Sequence, residues 1–486
     1  MNAFKKKVLV SAVLAGMSAA GAAHAVYDDP NGRGQVLIYP YYTVQAGHNT
    51  YISVVNTESS SVKVVKVRFR EGRNSREVLD FNLYLSPSDV WAGAVIPADS
   101  ASATSGGRLI TTDVSCTNPA IPSTGVDFRN YLYSGTNDDG AGTGLDRSRE
   151  GYVEMIEMGV LNPATAPGSA AVHAAATGVP TCTGLTGQVV AAVAAAILAP
   201  SGGLSGTGTL INVADGKDMG YNAEALSNMT AAAIYFDIGN DTPNFANADP
   251  TSIVTSGNRV YLNTFAATPL GRNNAVSSVM DHSSVINEYI LDTATKSNTD
   301  WVVTFPTKSA YVTTAGATTP FTNKFTASGA CEAISFSFFN REERGATAAG
   351  GDFSPLPPGA APSSLCWEST VMSIRNGAAH MPTGSVSGVL GSVNVTPVTV
   401  TSGFQNGWAI MTFVGTNATT TGLSATATTS INLGTGAASV TPALFVGLPA
   451  VGFMARSLNN GTLGAFQANY GSAFGHKYIQ NIAPQP

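Results

Sequence analysis

Val62-Lys63-Val64-Val65-Lys66-Val67-Arg68-Phe69-Arg70 alternates apolar and basic residues with one slip at Val64-Val65. A period of two places successive side chains on opposite faces of a strand, and the slip predicts a bulge. The neighbouring sequence repeats the pattern. Gln35 to Thr43 is an apolar, tyrosine-rich run, and Tyr51 to Asn56 is a second. Val78 to Leu85 puts Leu79, Phe81, Leu83 and Leu85 on one face before Ser86-Pro87-Ser88-Asp89 breaks it, and Trp91 is placed to close the core. Gly151 to Met158 sets Tyr152, Glu154 and Ile156 on one side and Val153, Met155 and Glu157 on the other. Together these predict antiparallel sheets with one buried face. The fold class that follows is all-β, or β-dominated, with sandwich-like antiparallel sheets and an alanine-rich helical insertion.

The chain opens with Lys5, Lys6 and Lys7, an apolar run from Val8, and Ala23-His24-Ala25. This is the three-part pattern of a secretory signal peptide over residues 1–25, with cleavage expected after Ala25. The run is too short for a stable membrane span. An exported protein is expected, at the cell surface, outside the cell or in the periplasm. Without the three leader lysines, 22 basic side chains face 31 acidic ones, a net charge of −9, which argues against a nucleic-acid partner. Only 12% of residues are charged, about half the usual share.

Cys116, Cys182, Cys331 and Cys366 are far apart, with no Cys-x-x-Cys pair to suggest zinc or a redox dithiol. In an oxidising compartment, disulfides are expected. Three pairings are open, and the sequence-local one, Cys116–Cys182 with Cys331–Cys366, is preferred over the others and over unpaired buried thiols. Each bridge would stabilise by about 4 kcal/mol in the loop-entropy model, less any strain.

Two stretches lack Asp, Glu, Lys and Arg. One runs between Met158 and Ala214, and its Gln188 to Ala199 segment, bounded by Gly187 and Pro200, predicts a buried helix too short to span a bilayer. The other covers the eighty positions from Asn376 to Ala455. Its Val-Thr alternation, as in Val393 to Thr401, suits strands whose edges pair within the fold or with another copy of the chain. Further strands are expected at Ala232 to Ile238, Trp301 to Pro306, Ser335 to Phe339, Trp367 to Ile374 and Trp408 to Val414. The expected organisation is a β-rich region over 26–300 and a second over 301–486, co-folded with the first or separate from it.

No catalytic signature is present. His48, His173, His282, His380 and His476 are isolated, and there is no nucleophile elbow, phosphate loop or dinucleotide turn. Glu154 and Glu157 stand three apart on a strand and so on opposite faces, a poor dyad for glycoside chemistry. Salt bridging, to Arg147 or Arg149, is the expected role. Asn137-Asp138-Asp139-Gly140 with Asp146 gathers oxygen ligands on a Gly-rich loop, a weak calcium candidate, weaker still at Asp237, Asn240 and Asp241. Lys63, Lys66, Arg68, Arg70, Arg73 and Arg76 most simply form a solvated face, and otherwise a site for an anionic glycan or lipid headgroup. Of Tyr39, Tyr41, Tyr42 and Tyr51, period-two placement puts half in the core.

Leu37-Ile38-Tyr39-Pro40-Tyr41-Tyr42-Thr43, the run Val67 to Leu85 with Glu71-Gly72-Arg73-Asn74-Ser75-Arg76-Glu77, Arg149-Glu150-Gly151-Tyr152-Val153-Glu154, Trp301 to Lys308, Gly452-Phe453-Met454 and His476-Lys477-Tyr478 stand out as a set. With them the chain resembles a family of exported Gram-negative bacterial cell-surface proteins of uncharacterised activity. The resemblance implies location and a single co-folded unit, and it carries over no functional residue. The expected function is a non-enzymatic structural protein of the cell envelope or extracellular space, self-assembling through the uncharged C-terminal strands. A carbohydrate- or surface-binding adhesin is the alternative.

Overall fold

The structure, a computed structural model, describes residues 24–347, 363–413, 422–464 and 466–484. The expected leader lies outside them up to residue 23. The fold is all-β, built of open antiparallel sheets stacked as sandwiches, with a single parallel ladder among the described residues.

The Val62–Glu71 strand lies inside a seven-stranded sheet, between Glu150–Leu161 and Glu77–Leu85. Val36–Thr43, Glu224–Ser227 and Tyr27–Asp28 extend the sheet on one side, and Cys116–Asn118 ends it on the other. The expected bulge is not in this strand, since Lys63 to Phe69 pair in unbroken register with Leu85 to Leu79. The irregularity falls on the partner, between Glu157 and Gly159. What the slip at Val64-Val65 marks is a change of cover. Val62 and Val64 pack under the insertion, whereas Val65, Val67 and Phe69 face the sandwich core. The strand is thus buried on both faces, not on one.

The second layer is a six-stranded sheet in the order Lys217–Asn222, Leu204–Asn212, His48–Asn56, Val90–Pro97, Gly107–Ile110 and Val126–Asp127. Leu37, Ile52, Phe69, Met155 and Leu210 fill the space between the layers, and Trp91 closes it, with its ring 5.7 Å from Phe81. Pro40 stands mid-strand, where it cannot donate to a ladder. The sheet accommodates it opposite a register shift between Gly151 and Val153. Glycine is required at 151, because a Cβ there would lie 1.9 Å from the Arg70 carbonyl oxygen.

A second sandwich follows. Five strands run in the order Val395–Thr399, Ser369–Arg375, Asn298–Thr304, Val451–Leu463 and Phe466–Gly475. They face a sheet built on Glu332–Asn340, Asn406–Phe413 and Ser284–Ile290 across Trp301, Phe336, Met372 and Met411. The two halves share their cores. Val36, Ile38, Tyr152 and Leu226 belong to the second core, while Val302, Val371 and Phe453 close the first, Phe453 stacking on Tyr221 at 4.7 Å. The division expected at 300/301 falls inside the Asn298–Thr304 strand and separates nothing.

Both disulfides take the local pairing, Cys116–Cys182 and Cys331–Cys366. The alanine-rich helix is shorter than expected, six residues over Ala191–Ala196, and only Val193 is buried in it. It ends where Ile197 turns extended and Leu198 bridges Val160. Among the described residues no helix is long and apolar enough to cross a membrane. Ala232 to Ile238 is not a strand. It crosses a sheet face, where no ladder partner exists, and bonds through Ile234 N and Phe236 N to the carbonyl oxygen and sulfur of Met158.

Candidate functional site

Of the six cations in the basic set, Arg76 alone is exposed. Lys63, Lys66 and Arg68 are 0–1% exposed: Lys66 and Arg68 share the face of Val62 and Val64, covered by the insertion and the chain around Phe236, whereas Lys63 lies on the opposite face with Val65. Lys63 donates to Glu157 at 2.9 Å and Glu58 at 2.8 Å, Lys66 pairs with Asp80, Arg68 with Glu77 and Arg70 with Glu154. An ammonium or guanidinium enters a core only with such partners. Glu154 and Glu157 do bridge to cations on opposite faces, but the partners are Arg70 and Lys63, not Arg147 or Arg149. No anionic glycan or headgroup can reach the three buried cations.

The calcium candidates are not brought together. Asp139 accepts from Arg147 at 2.7 Å and from Asn74 at 2.9 Å, while Asp138 caps the Gly140 amide. Among the described residues no group of three His, Cys, Asp or Glu side chains, Asp146 included, is arranged to hold a metal ion. Asp237 accepts from Val190 N, and Asp241 pairs with Arg70. Three of the four tyrosines are core. Tyr39, Tyr41 and Tyr42 are fully buried, each with its hydroxyl bonded, and Tyr51 alone is exposed.

Several buried carboxylates act as loop anchors. Glu71 accepts from the amides of Arg73, Asn74 and Arg76 and from Arg147. Glu150 accepts from Tyr41, Ser392 and the amides of Val393 and Asn394, and Asp300 accepts from the amides of Gly388, Val389 and Leu390. These bonds satisfy amides that a loop would otherwise bury unpaired. Such anchors hold the loops against the sheets and leave those carboxylates no open position for a substrate.

One cleft has a different character. It has a volume of about 540 Å³ and lies at the seam of the two halves, lined by Tyr27, Asp28, Val279, His282, Tyr478 and Gln480 among others. Asp28 pairs with Leu226 across the sheet edge, which sets it diagonal to Glu224 on the same face. Burial raises both carboxyls, Glu224 to about 8; the charge of Asp28 adds to the rise of Glu224, and that of Asp29 to the rise of Asp28. The Tyr478 ring stacks on His282 at 3.9 Å. His476 is tied down, Nε2 to the Val302 carbonyl at 2.9 Å and Nδ1 to the Asn287 amide at 3.1 Å. Donation from Nε2 makes Nδ1 the acceptor. Burial lowers His282 to about 3 and His476 to about 4, so both rings are neutral. His282 Nδ1 is buried without a partner.

No family model, curated protein or solved structure matches the chain.

Sequence spacing missed this cleft because its residues come from the two ends and the middle of the chain. His-Lys-Tyr at 476–478 is the one local signal: alternation on a short strand points His476 inward and Lys477 outward.

Proposed function

We propose that the protein is a non-enzymatic structural component of the cell envelope or extracellular space, exported and assembling through strand edges of the charge-free segment. The observation that carries this reading is the Ala438–Val440 strand. It ends the four-stranded sheet, its three side chains are exposed, Val440 by 77%, and it bears no charge to repel a second copy. Another edge of the segment, Val395–Thr399, is blunted. Its ladder runs from Val371 N–H on Asn394 to Val400 N–H on Arg375, so the even-numbered residues face the partner strand and Pro397 lies on the open side with no amide to donate. Two disulfides fit an oxidising compartment, and the anchored carboxylates fit a scaffold. The resemblance to exported surface proteins points the same way.

Light scattering on the purified mature protein over rising concentration tests this. Self-association that Val440→Lys abolishes and Thr399→Lys leaves intact supports it, and a monomer at every concentration overturns it. One observation favours the adhesin as second reading. Trp408, 43% exposed, stacks on Phe339 at 4.5 Å with Glu288 opposite it in register, an aromatic plane beside a carboxylate such as sugars stack on. Loss of glycan-array retention in Trp408→Ala would support that reading.

A further inference from the structure

We propose that Lys66 and Asp80 close a covalent amide with Glu77 as the acid, a cross-link between neighbouring strands that the chain makes by itself once folded, beyond the assembly reading and independent of it. Lys66 lies on Val62–Glu71 and Asp80 on Glu77–Leu85, which run side by side; Arg68 opposes Asp80 in register, so Lys66 is diagonal to Asp80 on one face. The Lys66 Nζ and the Asp80 Oδ2 meet as an ion pair, with the lysine side chain 0% exposed. Both atoms are buried, and neither has a hydrogen bond of regular geometry. An ammonium carries three donors, and leaving them unmatched in an interior is costly. The other buried lysines are matched. Lys63 donates to Glu58, Glu157, Ser201 and the Gly202 carbonyl, and Lys308 to the carbonyls of Ala330 and Cys366. Among the described residues, Lys66 meets no bonded partner besides Asp80.

In a dry ion pair, passing a proton from the ammonium to the carboxylate leaves a neutral amine beside a neutral carboxylic acid, which a low-dielectric site favours. The amine lone pair then attacks the Asp80 Cγ. The Nζ–Cγ bond forms, the Cγ–O bond to the hydroxyl breaks, and the hydroxyl leaves with an amine proton as water. Nothing is oxidised or reduced, and no co-reactant enters. The departing hydroxyl needs an acid beside it. Glu77 is placed for this: a register shift between Phe69 and Arg70 sets Glu77 opposite Arg70 while Asp80 stays opposite Arg68, so the two carboxyls share a face. Burial and the charge of Asp80 push Glu77 up to about 7, against the pull of Arg68 at 2.9 Å, so a large share of it holds a proton near neutral pH. Ile156 flanks Lys66 in register on one side, and on the other the Phe236 carbonyl accepts from Asn82. That cover keeps out the bulk water that would reverse the step, and closing the amide removes two charges from the interior.

Intact-mass spectrometry of the purified, folded chain after reduction of its disulfides tests this. The expected mass is one water below that of the same sequence unlinked. Trypsin does not cut at an amidated lysine, so peptide 64–68 should appear joined to peptide 77–108. A succinimide at Asp139-Gly140 or Asp215-Gly216 would also shed one water, but it opens in hydroxylamine, whereas the branched peptide persists. Lys66→Arg, which keeps the positive charge, and Asp80→Ala should each restore the full mass. Glu77→Gln should leave most chains unlinked while the wild-type circular dichroism spectrum is kept. Full mass in the folded wild-type chain, or a water loss that maps elsewhere, overturns the proposal, and this reading stands even where a variant fails to fold. A Glu77→Gln chain linked as fully as the wild type overturns the role of Glu77.

Discussion

Arg147 grips two carboxylates at once, Glu71 through Nε and Asp139 through Nη1, both at 2.7 Å, with its plane 4.5 Å from the Tyr133 ring. Removing it strands two buried charges, so Arg147→Met should cost about 3–5 kcal/mol in urea unfolding. Arg147→Lys should recover only part of that, because an ammonium lacks the planar fork. The cleft and the buried network set the pH response. Burial raises Glu224 to about 8 and Glu368 to about 7, so their stabilising effect is complete below the ordinary carboxyl range and is lost as pH rises through those values. His282 and His476 act oppositely, since depressed values make their contribution complete above pH 6.5 and lost as pH falls through about 4 and 3. Burial also raises Glu77 and Glu157 to about 7, so raised carboxyls outnumber the lowered histidines and the melting temperature should be highest at about pH 4.5 and decline on both sides. Glu368→Gln should flatten the alkaline decline; an unchanged slope in that variant would show that other groups set it.

At the scale of elements, the insertion is the part whose hold depends on a covalent link. It packs through Leu185, Val190 and Val193 on Val62, Val64 and Met158, a small contact for a segment that begins at Asn162 and returns at Leu204. Cys116–Cys182 ties it to the sheet edge. The Cys116→Ser, Cys182→Ser double variant should lose up to about 4 kcal/mol, and limited proteolysis should cut first between 174 and 190, while Cys331–Cys366 stays intact on peptide mapping. A tighter constraint sits at the irregularity beside Pro40. Gly151→Ala forces a methyl into the Arg70 carbonyl, so the strand that carries Glu150, Tyr152 and Glu154 must shift as a unit. Loss of soluble folded protein is expected from that single methyl, whereas Gly220→Ala, where a Cβ meets nothing within 4 Å, should be silent.

Across the whole molecule the two halves should not separate. Phe453 completes the first core and Ile38 and Tyr152 complete the second, so cutting the chain near residue 300 exposes apolar surface on both products. Calorimetry of the full chain should show one cooperative transition. A 26–250 fragment should aggregate, and a soluble fragment with its own sharp transition would show that the shared core is dispensable.

The sequence by itself determined the all-β class, the positions of most strands and Trp91 as core, and made the local disulfide pairing the preferred one of three. Each depends on near neighbours: alternation with a period of two is legible within six or eight residues, and short loops favour local bridges. It could not tell what covers a face. Lys63, Lys66 and Arg68 have the local pattern of a solvated edge, yet partners distant in sequence, Glu157, Asp80 and Glu77, bury them. The same limit hid the cleft, where Asp28, His282 and Tyr478 meet only after two sandwiches interlock. Burial and ionisation are properties of the assembled surroundings, and no local periodicity encodes which distant strand will supply them.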